Sequence, residues 1–334
     1  MNKIAVVILN WNGKTHLKQF LPSVIQHSNN AEVVIIDNCS TDDSVAYLTT
    51  SFPIIKIISL DKNYGFAQGY NKGLQQVDAP YYVLLNSDVE VTEKWLDPMI
   101  QLLENDSKIA ACQPKIKDYN KKKYFEYAGA AGGFIDNLGY PFCKGRVFET
   151  LEEDKGQYNQ SSEIFWASGA CLFIRSEIYK EVGGLDDFFF AHMEEIDLCW
   201  RIKNQGYKIM ACPSSTVYHL GGGTLNKINP QKTFLNYRNS LLTLHKNLPK
   251  EKIFYTILTR LFLDALSGIK LLLEGKPKHT FAIIKAHFSF YNAIQQNKLK
   301  RKVPHTPNLA GKINKNIIFN YFIKKQDTYH RIVK

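Results

Sequence analysis

The sequence predicts an α/β protein with a doubly wound, mainly parallel sheet. Runs of apolar residues alternate with segments whose apolar residues recur at helical spacing, which is the order β-α-β-α-β-α-β expected of such a sheet. The fourth run, 81–85, holds five consecutive apolar residues and is typical of a strand buried on both faces. It ends in Asn86-Ser87-Asp88, three short polar side chains that suit a turn. Ligands in such folds bind beyond the carboxyl ends of the strands, which is where Asp88 falls.

The predicted elements follow one another closely along the first half of the chain. Strands are predicted at 3–9, 32–36, 54–60, 81–85, 109–114 and 166–175, and helices between them, including 95–103 and 176–182. Residues 115–160 lack clear periodicity and are interpreted as a variable insert over the site. Past residue 246 the pattern changes to amphipathic helices rich in lysine. We therefore predict a catalytic domain at 1–245 and a basic helical C-terminal region at 246–334.

The positive charge is concentrated in this C-terminal region. The whole chain carries 42 Lys and Arg against 31 Asp and Glu, whereas residues 250–334 alone carry 17 against 4. The segment 253–273 is interrupted by Arg260, Asp264 and Lys270, which makes it a poor membrane-spanning helix. A basic amphipathic helix lies on an anionic membrane surface, and we predict that partner. The alternative is a helical cap that packs on the core and leaves its basic face solvated.

Six cysteines are scattered along the chain without a Cys-x-x-Cys pair. This usage favours reduced thiols in a cytosolic setting and argues against a zinc site. The first strand begins almost at the N-terminus, so no signal peptide is expected. We predict a cytoplasmic location.

Acidic residues end two of the buried strands. Asp88 follows the fourth strand and suits a hard divalent cation, which takes oxygen ligands and shares itself with phosphates. Asp37 ends the second strand, where an acid suits a nucleotide's base or ribose. No Gly-x-Gly-x-x-Gly and no Gly-Lys-Ser/Thr follows the first strand, so neither a dinucleotide-binding dehydrogenase nor a P-loop NTPase is supported.

Three further carboxylates, Glu194, Glu195 and Asp197, begin a predicted helix that ends at Gly206. The helix dipole and an i,i+4 pair between Asp197 and Arg201 explain part of this pattern. Three phenylalanines at 188–190 precede the acids, and apolar surroundings make a carboxylate a better base. The cluster therefore suits removal of a proton from a hydroxyl group.

His219 is a candidate metal ligand beside Asp88. It follows a predicted strand and precedes the run Gly221-Gly222-Gly223-Thr224, whose glycines would allow a backbone to approach a pyrophosphate closely. A lone histidine is more often structural than a ligand.

Five stretches, in this order along the chain, resemble the motif series of family 2 glycosyltransferases. Each stretch is weak alone, but together they are strongly specific, and the similarity extends over roughly residues 3–240. It is greatest to the rhamnosyltransferase-like branch, which builds bacterial surface polysaccharides. The stretches are Val6–Gly13, Ile35–Asp42, Asn63–Ala67, Leu84–Asp88 and Glu194–Leu198.

The resemblance implies the GT-A fold, inversion of the anomeric centre of a nucleotide sugar, and a role for each matching residue. Asn86 stands in place of the first acid of an Asp-x-Asp motif, and Glu195 stands where the family usually has Asp. The implied roles are contact with the nucleotide sugar for Asn10, Asn12, Asp37, Asn63, Gly65, Asn86 and Asp88; binding of a divalent cation, Mg²⁺ or Mn²⁺, for Asp88 and His219; the border of the acceptor pocket for Trp166, Gly169 and Ala170; and general base for Glu195, with Glu194 or Asp197 as alternatives.

The sequence thus predicts a metal-dependent inverting glycosyltransferase of surface polysaccharide synthesis. Its substrates would be a UDP- or dTDP-sugar and a saccharide or lipid-linked saccharide, and it would work at the inner face of the cell membrane, without a nucleic-acid partner. One alternative is a sugar-phosphate nucleotidyltransferase, although the Gly-rich basic loop of such enzymes is missing after the first strand. The other is a non-catalytic module that binds polyanions through its basic tail.

Overall fold

The computed structural model describes residues 3–221, 229–301 and 309–334. A nine-stranded sheet forms the centre of the protein, and a separate four-stranded antiparallel sheet lies beside it. The strands are β1 (Ile4–Asn10), β2 (Ala31–Asp37), β3 (Lys56–Ser59), β4 (Tyr81–Leu85), β5 (Val89–Val91), β6 (Ile109–Asp118), β7 (Gly133–Ile135), β8 (Pro141–Cys143), β9 (Arg146–Val147), β10 (Thr150–Leu151), β11 (Ser162–Glu163), β12 (Cys171–Arg175) and β13 (Lys208–His219).

The central sheet is mixed but mostly parallel. Its strand order is β11-β13-β6-β12-β4-β1-β2-β3, and β5 pairs with β13 outside this path. Strand β1 is parallel to β2 and β4, and β6 is parallel to β13, whereas β12 runs antiparallel between β4 and β6. This arrangement confirms the predicted α/β fold with a mainly parallel sheet.

Helices cover both faces of the sheet. Alternate residues of β1 enter different cores: Ala5 and Val7 pack on one side, and Ile4, Val6 and Ile8 on the other. This two-sided burial explains the uninterrupted apolar runs of the central strands. The helices are α1 (Lys14–His27), α2 (Ser44–Ser51), α3 (Gly65–Leu74), α4 (Asp97–Asn105), α5 (Ser176–Glu181), α6 (Glu194–Asn204), α7 (Pro230–Asn247), α8 (Lys250–Leu273), α9 (Pro277–Leu299) and α10 (Tyr329–Val333).

Two predicted regions differ from the structure. The region 115–160, predicted to be irregular, contains the four strands β7–β10 of the small sheet. The strand predicted from residue 166 begins only at Cys171, because residues 166–170 form a turn that packs on the small sheet. In that turn the Trp166 indole donates to the Phe134 carbonyl oxygen at 3.0 Å, and a Cβ on Gly133 would lie 2.1 Å from the ring. All six cysteines are free thiols.

The C-terminal region packs on the remainder of the protein. Helix α7 contacts α6, α8 and α9. Residues 309–334 return to the small sheet, where Ile313 N donates to the Ile135 carbonyl oxygen at 2.8 Å and Ile317 N donates to Asp136 Oδ2 at 3.1 Å. The predicted domain boundary after residue 245 falls inside α7 and stays a prediction. Within the described ranges, no helix combines the length and the hydrophobicity needed to cross a bilayer.

Candidate active site

A cavity of about 510 Å³ opens beyond the carboxyl end of β4. One side of it comes from strand ends of the central sheet, and we call this side the strand wall. The other side comes from residues 191–196 and the helices α7 and α8, and we call it the helix wall. The small sheet contributes a third part of the lining. The predicted site residues that line this cavity are Asn86, Asp88, Trp166, Gly169, Ala170, Glu194, Glu195 and His219.

Asn10 and Asp37 are neighbours at the ends of β1 and β2, behind the strand wall. They are paired in register, and Asn10 Nδ2 donates to Asp37 Oδ1 at 3.0 Å. The Asn10 Oδ1 atom is buried and lacks a hydrogen-bond partner. Gly13 lies between this pair and the turn after β4. A Cβ added to Gly13 would be 2.4 Å from Asn10 Oδ1 and 3.8 Å from Ser87 Oγ. The ends of β2 and β4, which carry the predicted acids Asp37 and Asp88, therefore lie at the same edge of the sheet.

Asn12, Asn63 and Gly65 shape the loops beside these strand ends. The Asn12 Oδ1 atom accepts from Thr41 N at 2.7 Å, and Asn63 Oδ1 accepts from Gly65 N at 2.8 Å. Gly65 has φ +73°, and a Cβ on it would lie 2.5 Å from the Phe190 ring. Glycine is therefore required there both by the backbone conformation and by close packing. These three residues stay predicted nucleotide contacts.

Asp88 and His219 meet in the strand wall. His219 Nε2 lies 3.1 Å from Asp88 Oδ1 and 3.4 Å from Asn86 Nδ2, and His219 Nδ1 lies 3.3 Å from Glu126 Oε1. Burial by itself would lower the pKa of His219, but Glu126 and Asp88 outweigh it and raise that pKa to about 10. Burial by itself would raise the pKa of Asp88, but His219 outweighs it and lowers that pKa. The imidazole is thus clamped between two carboxylates.

This pair supplies few ligands for a metal ion. Among the described residues, groups of three or more His, Cys, Asp or Glu side chains able to hold an ion are absent. Only Gly221 of the predicted glycine run is described, and a Cβ on it would lie 3.1 Å from Glu126 Oε1. The other members, 222–224, lie outside the described residues. A cation here would therefore depend on ligands from a bound phosphate as well as from the protein.

Glu194 and Glu195 begin α6 and belong to the helix wall. Each has a buried Oε2 atom that lacks a hydrogen-bond partner in the structure. Burial and the neighbouring Glu195 raise the pKa of Glu194 well above its ordinary value. Burial likewise raises the pKa of Glu195 to about 7. Two carboxylates of raised pKa with unoccupied oxygens can take protons near neutral pH.

Asp197, predicted as a third acid of this cluster, points away from the cavity. Its carboxylate is fully buried and accepts from Arg201 Nε at 2.8 Å, from Lys246 Nζ at 3.0 Å and from Asn247 Nδ2 at 2.9 Å. The predicted i,i+4 pair with Arg201 is confirmed. Burial would raise the pKa of Asp197, but Lys246 and Arg201 outweigh it and lower that pKa. The structure separates Asp197 from the two glutamates and gives it a structural role between α6 and α7.

The loop 188–193, which precedes the acids, is strained. Phe190, His192 and Met193 have φ of 63°, 69° and 72°, which is uncommon for residues other than glycine. Asn239 of α7 holds this loop: its Nδ2 lies 3.0, 2.9 and 2.7 Å from the carbonyl oxygens of Phe189, Ala191 and His192. Helix α7 thus fixes the backbone that delivers Glu194 and Glu195.

The predicted acceptor residues lie between these walls. A Cβ on Gly169 would be 3.6 Å from the Phe66 ring and 3.9 Å from Glu195 Cβ, so Gly169 leaves room directly beside the acid. Ser168 N donates to Gln113 Oε1 at 2.9 Å, which anchors the turn that carries Trp166. Trp166, Gly169 and Ala170 stay predicted acceptor contacts.

Several residues of the lining were missed by the sequence analysis. Most of them come from the small sheet and its loops or from α7 and α8, and these reach the cavity through long-range packing. His192 stands next to the predicted acids and could have been suspected, but the others carry no local sequence signal. The missed lining residues with polar or aromatic side chains are Tyr127, Tyr140, Arg146, Phe148, Ser168, His192, Lys232, Asn236, Tyr237, Ser240 and Arg260.

The chain is similar in sequence to known proteins over much of its length. The model of the family described as Glycosyl transferase family 2 matches residues 5–183. The N-acetylglucosaminyl-diphospho-decaprenol L-rhamnosyltransferase of Mycobacterium tuberculosis is 25% identical over 232 residues, which cover 65% of this chain and 75% of that protein. The low-salt glycan biosynthesis hexosyltransferase Agl10 of Haloferax volcanii is 21% identical over 302 residues, covering 88% of this chain and 92% of that protein.

The fold is also similar to that of solved structures. The crystal structure of GalNAc-T7 with UDP, GalNAc and Mn²⁺ superposes with a TM-score of 0.60 at 18% identity, covering 91% of this chain and 59% of that chain. The likeness confirms the GT-A-like arrangement of the central sheet and its flanking helices.

Proposed function

The chain belongs to glycosyl transferase family 2, in its rhamnosyltransferase-like branch, and from that premise we propose that it moves a sugar from a UDP- or dTDP-sugar to a saccharide or lipid-linked saccharide with inversion at the anomeric carbon. Glycosyltransferase activity replaces the two alternatives left open by the sequence. The observation that carries the proposal is the meeting, in one cavity, of the Asp88–His219 pair with the buried carboxylates of Glu194 and Glu195. The first pair suits a leaving diphosphate, and the second suits an attacking hydroxyl group.

The strand wall fits a divalent cation that arrives with the donor. Asp88 would supply a carboxylate oxygen, and His219 would supply an imidazole nitrogen once it releases the proton that Asp88 and Glu126 favour. Mn²⁺ accepts such a donor set, and Mg²⁺ accepts it less readily. Glu126 lies beside the other ring nitrogen of His219, as carboxylates commonly do behind metal-bound histidines. When bound, the cation would offset the charge that develops on the departing diphosphate. In its absence the two residues hold each other through their own hydrogen bond.

The helix wall supplies the base. In a single displacement, the acceptor oxygen forms a bond to C1 of the sugar while the bond from C1 to the diphosphate oxygen breaks, and its electron pair leaves with the diphosphate. The acceptor hydroxyl proton passes to Glu195, whose pKa of about 7 leaves a large fraction ionised at neutral pH. Burial and the neighbouring Glu195 raise the pKa of Glu194 well above its ordinary value, and in its protonated form Glu194 can donate a hydrogen bond to the acceptor. Gly169 leaves space for the acceptor next to Glu195.

We further propose that the enzyme works on the inner face of a membrane in surface polysaccharide synthesis. The name of the mycobacterial relative describes a lipid-linked diphosphate sugar as its substrate. In this chain, α8 and α9 expose large apolar side chains such as Phe254, Phe262 and Phe288, and the region 250–334 carries the basic excess. Apolar side chains with flanking lysines bind anionic bilayers.

The proposal is tested by incubating the protein with a panel of nucleotide sugars, Mn²⁺ and short-chain lipid-linked acceptors, and measuring released nucleoside diphosphate. Release that needs both the acceptor and the cation supports it. Release that is independent of the acceptor, or a product with retained anomeric configuration by NMR, contradicts it. Flotation with anionic vesicles at low salt tests the membrane site separately.

A further inference from the structure

Arg146 is a buried cation that makes no close ion pair with the described residues. It extends from β9 into the cavity lining and is only 7% exposed. Its guanidinium lies 4.6 Å from the centre of the Tyr127 ring, and Nη2 donates to the Cys143 thiol at 3.6 Å. The Nε atom lacks a hydrogen-bond partner, and Glu126 attracts this guanidinium through longer-range electrostatics rather than through a direct contact. Burying an unpaired charge is costly, so a partner that arrives with a substrate is expected.

Arg260 lines the same cavity from α8. Its guanidinium is held rigidly: Nη1 donates to the Leu138 carbonyl oxygen at 2.9 Å, Nη2 donates to Ser240 Oγ at 2.7 Å, and the Tyr140 ring centre lies 3.8 Å away. Its Nε lies 3.9 Å from Asp264 Oδ1, too far for a hydrogen bond. Two buried guanidinium groups in one cavity, both with unused Nε donors, form a fixed positive surface for an anion.

We propose that Arg146 and Arg260 form a subsite for the phosphate group of a lipid-linked acceptor. The proposal rests on the function proposed above and adds the acceptor's anionic class. The subsite differs in chemistry from the donor position, because an anion beside Asp88 needs a cation to offset the carboxylate, whereas an anion beside the two arginines does not. Arg146 of β9 lies within the residues that match the family model, 5–183, whereas Arg260 of α8 lies beyond them.

An apolar route connects this subsite to the protein surface. Phe148 lines the cavity, and its ring centre lies 4.8 Å from that of Tyr321 and 5.2 Å from that of Phe322. Phe322 is 45% exposed and lies 5.7 Å from Lys270 Nζ on α8, the helix whose apolar side chains face solvent. A lipid chain attached to the bound phosphate can follow this route toward a bilayer. A water-soluble phosphate compound has no lipid chain and would not need such a route.

The test uses the full chain, the substitution Arg146→Gln, and two acceptors: a short prenyl-diphosphate sugar and an alkyl glycoside of the same sugar without phosphate. We expect the KM for the diphosphate acceptor to rise about 10- to 100-fold, with a change below about 2-fold for the glycoside and for donor affinity. Arg146→Lys should recover part of the loss. The matched control is Arg331→Gln, since Arg331 is exposed and remote from the cavity lining. An equal rise for both acceptors, or no rise for either, overturns the proposal.

Competition with the unmodified protein keeps the test decisive if Arg146→Gln does not fold. A prenyl diphosphate without the sugar should compete with the acceptor and not with the nucleotide, and should do so more tightly than inorganic diphosphate. Equal competition by both compounds excludes the lipid source, and no competition excludes the subsite. Binding of the prenyl diphosphate by calorimetry needs no turnover, so its result stays informative even if every donor tested for transfer fails.

Discussion

The two walls of the cavity are built by different means. The strand wall is made by short polar segments that directly follow buried strands, so residues close in sequence to a strand end become neighbours in space, as Asn10 and Asp37 do. The helix wall is made by contacts between distant segments: Asn239 holds the carbonyl groups of a loop about 50 residues earlier, and Arg260 reaches the small sheet. The position of the strand wall is therefore set by strand order, whereas the position of the helix wall is set by tertiary packing.

The largest effect is expected from the helix wall. Glu195→Gln keeps the shape of the side chain but removes the basic oxygen, so kcat should fall by on the order of 10² to 10⁴ while nucleotide affinity changes little. Glu195→Asp should retain some activity, because aspartate is the residue usual in the family. The measurement is single-turnover kinetics, with Glu194→Gln in parallel. A dead Glu194→Gln beside an active Glu195→Gln would assign the base to Glu194.

The strand wall is tested by Asp88→Asn. Because this substitution removes a proposed cation ligand, Mn²⁺-dependent binding of the nucleoside diphosphate should weaken by at least about 100-fold. Loss of a residue that only orients a ligand should have a smaller effect on this binding. Glu126→Gln changes a carboxylate that lies beside His219 and accepts from Ala128 N, and it should therefore weaken this binding by about 10-fold. Isothermal titration calorimetry with and without Mn²⁺ measures both. Unchanged affinity of Asp88→Asn in the presence of Mn²⁺ would remove this residue from the site.

The pH dependence of kcat/KM should report on Glu195 and hence on the helix wall rather than on the strand wall. Glu195 must be ionised to take a proton, and burial raises its pKa to about 7, so kcat/KM should fall about tenfold per pH unit below that value. Because the folded-state pKa lies above the ordinary one, this group's contribution to stability is present at acid pH and is lost as pH rises through 7. Glu195→Gln should remove the inflection and raise the Tm relative to the wild type at pH 8. An inflection that persists in Glu195→Gln belongs to another group.

The smallest effect is expected from the support behind the helix wall. Asn239→Ala removes the donor shared by three loop carbonyl groups, so kcat should fall about 3- to 10-fold together with a lower Tm. Asn297→Ala is the matched control: its buried amide donates to the Leu242 carbonyl oxygen at 3.0 Å without touching the loop. The control should lower Tm and leave kcat unchanged. Equal kcat for both variants would show that the loop conformation is independent of Asn239.

The sequence analysis succeeded where local chemistry decides the structure. An apolar run followed by a polar turn pointed to Asp88, and an acid after phenylalanines pointed to Glu195; both line the cavity, and their roles stay predictions. It failed for Arg146 and Asn239, whose roles depend on what packs against them. It placed Asp197 with the glutamates, since adjacent helical positions look alike in sequence although they point about 100° apart. Only the structure shows that Lys246 of α7 holds this carboxylate.

Helix α7 has a consequence for exchanging parts between relatives. It crosses the predicted domain boundary, binds the strained loop through Asn239 and bonds to both Asp186 and Asp197 through Lys246. A chimera joined at the predicted boundary after residue 245 would keep Asn239 with the strained loop but would replace Lys246, the partner of Asp186 and Asp197, with the relative's residue. The loop, α6 and α7 form one transplantable unit, and a recombination point should lie before residue 184 or after residue 247.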